Sequence, residues 1–202
     1  RIRFATSRGP MNIATYLLGH TETLLGVKTN PEEIHKLLQL VTDFIVDWLQ
    51  YQAQCFPTID AMLILDDLVG FLGPNDFQQF ALPYLQQIAQ CLPVRVKLLH
   101  NDCHGLITAR CLRAIGFNFF NFSFQHGLAE MRQAAGAEVV LVGNIPPRDV
   151  LAKGTPEDVR RSARTALEEL PDRRRLVLSC GGGTAPGTPA ENIDALCEAA
   201  GW

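Results

Sequence analysis

The chain has 202 residues, 47% hydrophobic and 19% charged, with a formal net charge of −3. That apolar content fills a core, and the charge is too low for a disordered chain. No lysine- or arginine-rich stripe occurs and the longest apolar runs are strand-sized, which argues against nucleic-acid binding and against a membrane span.

No signal peptide is visible at Arg1, where the chain starts in a strand-like run. Cys55, Cys91, Cys103, Cys111, Cys180 and Cys197 are dispersed and form no CxxC pair. That spread reads as the reduced thiols of a cytoplasmic enzyme.

Strand-like and helix-like stretches alternate. Residues 2–6, 61–66, 94–100, 117–123, 138–142 and 175–179 are short, nearly continuous apolar runs, the pattern of parallel strands covered on both faces. Residues 31–52 carry Ile34, Leu37, Leu38, Val41, Phe44, Ile45 and Trp48 on one helical stripe, with Asn30 as the expected cap and Pro31 at the first position. Thr155-Pro156-Glu157-Asp158 and Thr188-Pro189-Ala190-Glu191 open two later helices, the second with capping-box spacing. Repeated strand–helix–strand order predicts right-handed crossovers and a parallel sheet in one domain over residues 1–202. Six βα units fit an open doubly wound sheet or an eight-unit barrel without its first two units. The first strand is followed by no GxGxxG, which argues against a dinucleotide fold.

In parallel α/β folds the chemistry gathers at the carboxyl ends of the strands. The first strand is followed by Ser7-Arg8-Gly9-Pro10, with Tyr16 slightly later. The second ends in Asp66-Asp67, two acids that are costly unless solvated, paired or bound. The third is followed by His100-Asn101-Asp102-Cys103-His104, and the fourth by Gln125-His126. Gly143-Asn144 and Cys180-Gly181-Gly182-Gly183-Thr184 follow the last two. His100 and Asp102 could project to one side as metal ligands, with Cys180 as a third, leaving an open position as in catalytic zinc. The plainer alternative is a hydrogen-bonded histidine and small core cysteines. The glycine run permits close backbone approach to a ligand. Asn144 reads as a bridge between loops, and Tyr16 as a half-buried helical aromatic.

Several stretches together resemble the uroporphyrinogen decarboxylase superfamily. Gly9-Pro10 through Tyr16 is similar to its GP-x-T-L-x-x-Y segment. Asp66-Asp67, Gly70, Leu72-Gly73-Pro74, Phe77, Phe80 and Ala81 through Tyr84 are similar to its middle segment. Leu141 through Pro147 resembles its LxGNxxP strand, and Gly182-Gly183, Pro186, Thr188-Pro189 and Glu191-Asn192 its closing motif. The resemblance implies an α/β fold, a (β/α)8 barrel present as about six C-terminal βα units.

The superfamily includes cofactor-free decarboxylases and zinc-dependent methyltransferases that use methyl-corrinoids. The decarboxylases usually carry Ser at the position of Asp67 and His at that of Gly182. A carboxylate at 67 would sit unfavourably beside a polycarboxylate substrate. The methyltransferases carry H-x-C where this chain has His100-Asn101-Asp102, and a second Cys at the position of Gly182. Metal-capable residues thus stand close to the expected places. The leading expectation is a methyltransferase acting with a methyl-corrinoid, with a corrinoid protein as a candidate partner, on a thiol or related acceptor. Zinc would sit on His100, Asp102 and Cys180, with Asp66, Asp67 and Tyr16 as catalytic residues and Asn144, Gly182 and Gly183 against the substrate. The alternative is uroporphyrinogen decarboxylation with Tyr16 near the reacting carboxylate. A third reading is a binding protein whose unpaired sheet edges are covered by another chain, a homodimer being one arrangement.

Overall fold

The computed structural model describes residues 1–201. Six strands run in the order β1 (Phe4–Arg8), β2 (Ala61–Leu65), β3 (Val96–Asn101), β4 (Phe119–Phe122), β5 (Val140–Ile145) and β6 (Leu176–Cys180). Each pairs in parallel with the next in sequence. A doubly wound sheet reverses its strand order at a switch point. This order never reverses, so the doubly wound alternative falls and the sheet is the arc of a barrel. β1 and β6 do not pair with each other.

The β1–β2 connection holds α1 (Pro10–Leu18), α2 (His20–Thr29) and the long α3 (Pro31–Cys55). A 3-10 turn (Leu68–Phe71), α4 (Pro74–Phe80) and α5 (Leu82–Gln90) follow β2. α6 (Leu106–Ile115) and α7 (Leu128–Ala135) follow β3 and β4. A π-helical turn (Pro147–Ala152) and α8 (Pro156–Glu169) follow β5, and α9 (Ala190–Ala200) follows β6.

The core lies between the sheet and these helices. Ala5, Met62, Ile64, Leu99, Phe120 and Leu141 are fully buried and meet Met11, Leu38, Ile45, Leu85 and Leu112 from the helices. The expectation of strands covered on both faces needs correcting. Leu63, Leu65 and Leu98, which alternate with the buried set, are only half-buried. They line the concave side of an arc that does not close on itself.

Two capping expectations also change. The Asn30 side chain does not cap α3; its Oδ1 accepts from the Thr29 hydroxyl at 2.8 Å. The full capping box forms at Thr155 instead of Thr188. Thr155 Oγ1 accepts from Asp158 N at 3.2 Å, and Asp158 Oδ2 accepts from Thr155 N at 2.9 Å. The Thr188 hydroxyl donates to Ala185 O at 2.7 Å, because the Gly-Pro-rich loop turns back there, and Pro189 takes the cap position. Thr155→Ala should therefore lower stability by about 1 kcal/mol in urea denaturation, whereas Thr188→Ala should change it far less.

The two ends of the sheet differ. At the amino ends, Asp60 pairs with Arg3 and Arg95, and Arg132 donates to the carbonyls of Val139 and Arg175, contacts that tie loops together. The carboxyl ends gather the polar groups that follow.

Candidate functional site

His100, Asp67 and Asp102 meet at the carboxyl ends of β2 and β3. One donor atom from each lies within 4.8 Å of the other two. His100 Nε2 is 3.3 Å from Asp102 Oδ2 and 3.7 Å from Asp67 Oδ1. The His100 side chain is 13% exposed, those of Asp67 and Asp102 28% and 43%. The site is therefore wet on the carboxylate side and closed behind the imidazole.

The strand register explains the imidazole's posture. His100 stands opposite Asn121, and Asn121 opposite Val142. Asn121 donates Nδ2 hydrogens to the carbonyls of Val142 (2.7 Å) and Cys180 (3.2 Å). Its Oδ1 is thereby turned to His100 Nδ1, 2.6 Å away. An amide oxygen only accepts, so Nδ1 carries the hydrogen and Nε2 faces the two carboxylates, donating to Asp102 when the ring is protonated and offering its lone pair to a cation when it is not. This is the outer-shell arrangement that orients metal-ligating histidines. Burial pushes the His100 pKa down, but the hydrogen bond and charge of Asp102 and the charge of Asp67 outweigh it and leave the pKa raised.

Asp67 is held as firmly. Its Oδ1 accepts from the Asp102 amide at 2.8 Å. Asn12 spans the neighbouring turn, donating to Leu65 O at 3.2 Å and accepting from Leu68 N at 3.1 Å. The adjacent acid does something else. Asp66 is fully buried and accepts from Met11 N (3.1 Å) and Asn12 N (2.9 Å), the first free amides of α1. Gly9 makes room for it, since a Cβ there would lie 2.2 Å from Asp66 Oδ2. Burial, and secondarily the charge of Asp67, push the Asp66 carboxyl up to about 7 against the two amides.

The expected ligand set is thus rearranged. His100 and Asp102 come together as anticipated. Asp67, expected as a catalytic residue, is the third group, and Cys180 is not among them. The Cys180 thiol is buried and donates to Gly182 O at 3.0 Å, because β6 turns its last side chain away from the concave rim. Asp66, expected at the site, belongs to the α1 anchor. Tyr16, expected half-buried, is 61% exposed on α1. Asn144 does bridge loops, donating to His126 O. Gly182 is buried against Asp102, and Gly183 is exposed. Asn121 and Asn12 were not singled out from sequence. An Asn inside the apolar run Phe119–Phe122 was the available signal.

The arrangement suits a divalent cation. One imidazole nitrogen and two carboxylates are a donor set that zinc, manganese or iron accepts. A thiolate-rich zinc set does not fit, because the described residues bring no thiol into the cluster.

A parallel, sequentially ordered α/β barrel sheet with its polar groups on one rim is the architecture of a barrel enzyme. The chain belongs to the uroporphyrinogen decarboxylase family, whose model matches residues 4–201. It is 26% identical over 96% of its length to a uroporphyrinogen decarboxylase from Pseudoalteromonas translucida, covering 56% of that protein. It is likewise 26% identical over 95% of its length to the chloroplastic uroporphyrinogen decarboxylase 2 of Arabidopsis thaliana, covering 50% of it. The chain spans about half the length of the curated relatives it matches. A methyltransferase from Methanosarcina mazei shares the fold with a TM-score of 0.82, at 23% identity, over 97% of this chain and 57% of that one. No helix among the described residues is long and apolar enough to cross a membrane.

Proposed function

We propose that the chain carries the cation-binding part of a methyltransferase site that moves a methyl group from a methyl-corrinoid to a thiol acceptor. The observation that carries this reading is the convergence of Asp67, His100 and Asp102 on one point of the rim. Two carboxylates beside one imidazole attract a cation and repel a polycarboxylate. Bound there, a divalent cation would supply Lewis acidity that keeps the acceptor sulfur as thiolate.

The chain's own residues supply the rest. Asn121 fixes the His100 ring, and the Asp102 amide fixes Asp67. With a methyl-corrinoid as donor substrate, the acceptor sulfur, its proton lost to solvent, would form the new sulfur–carbon bond as the donor's methyl bond breaks, and the bonding electron pair would leave with the donor.

Metal analysis of the full chain purified without chelators tests the reading, together with methylation of a thiol by methylcobalamin. About one equivalent of a divalent metal is expected; a metal-free protein that still turns over would end it. A decarboxylase reading draws on the names of the curated relatives. Release of coproporphyrinogen from uroporphyrinogen by the metal-free chain would favour it.

A further inference from the structure

Gly182 is buried in the loop after β6 with φ +110°, a conformation that disfavours side chains. A Cβ built on it would lie 2.4 and 2.7 Å from the Asp102 carboxylate oxygens and 2.8 Å from their carbon. The carboxylate of Asp102 therefore occupies the volume that a side chain at 182 would take. The loop is tied on its strand side. The Gly181 amide donates to Ile145 O at 2.8 Å, and a Cβ on Gly181 would lie 2.6 Å from Phe124 N. The Cys180 thiol, donating to Gly182 O, clamps the turn from beneath. A side chain at 182 would press directly on Asp102, which is half-exposed and can swing away from the cluster.

We infer that Gly182 is a positioning residue that holds Asp102 in the cluster, so that the site takes a divalent cation through nitrogen and oxygen donors while Cys180 serves as a loop clamp. The inference rests on the cation reading of the triad and deepens it. A harder donor set lowers the preference for thiophilic ions.

Titration of the full chain with Co²⁺, followed by absorption, tests it. The complex should lack thiolate-to-cobalt charge-transfer absorption, and Cys180→Ser should leave affinity within about 2-fold. Gly182→Ala should weaken Co²⁺ binding by about 10-fold, the scale of an outer-shell loss. In a background already carrying Asp102→Ala, it should add almost nothing. Thermal melts of the metal-free variants monitor folding. A Gly182→Ala protein that folds only when Asp102→Ala is also present supports the crowding. Failure to fold in both backgrounds assigns the defect to the backbone and overturns the inference. So does an equal affinity loss in both backgrounds, or a charge-transfer band that Cys180→Ser removes. If the unaltered chain binds no Co²⁺, the triad reading itself is lost and the inference with it. Binding without coupling between 102 and 182 sinks the inference alone.

Discussion

Replacing His100 with alanine should lower the affinity of the chain for Zn²⁺ or Co²⁺ by more than about 100-fold, beyond the 10- to 100-fold typical of outer-shell changes. His100 supplies the one nitrogen of the cluster, with its lone pair turned inward by Asn121. Asn121→Ala should cost about 10-fold, because the ring loses its tautomer and its aim. Protons compete for the same lone pair. The raised His100 pKa, to which both carboxylates contribute against burial, makes that competition stronger than for a free histidine. Affinity should therefore fall as pH drops through the imidazole range, and the fall should be absent from His100→Ala. Isothermal titration at several pH values measures both effects. An affinity for the variant within a few-fold of the original would remove His100 from the site.

Replacing Asp66 with alanine should destabilise the fold by about 3 kcal/mol, since two buried α1 amides lose their acceptor at about 1–3 kcal/mol each. Asp66→Asn keeps one acceptor oxygen and should cost less. The pH dependence has a definite sign. In an unfolded chain the carboxyl releases its proton near pH ~4. In the fold it does so at about 7. Between these values the folded chain holds a proton that the unfolded chain has lost, so this group's contribution falls as pH rises from about 4 to about 7. The stability gap between the original chain and Asp66→Asn should shrink across that window. Parallel denaturation curves at pH 4, 5.5 and 7 would contradict the assignment.

Strand positions, parallel order and the polar strand ends were legible in the sequence, because short apolar runs and capped helices are local signals that packing did not override. The family resemblance located His100 and Asp102 by motif. Local pattern also misled. Thr188 has the capping-box spacing, yet a turn back onto Ala185 takes its hydroxyl.

What the sequence determined by itself is which elements form and which end of the sheet carries the chemistry, since both follow from periodicity and from strand polarity. Which acid of the Asp66-Asp67 pair serves the site was decided only by tertiary structure. Successive side chains leave a strand end in different directions, one into the α1 amides and one onto the rim. The same holds for Cys180 and Gly182: whether a residue two positions along a loop is a ligand, a clamp or an empty space depends on what the neighbouring strands press against it.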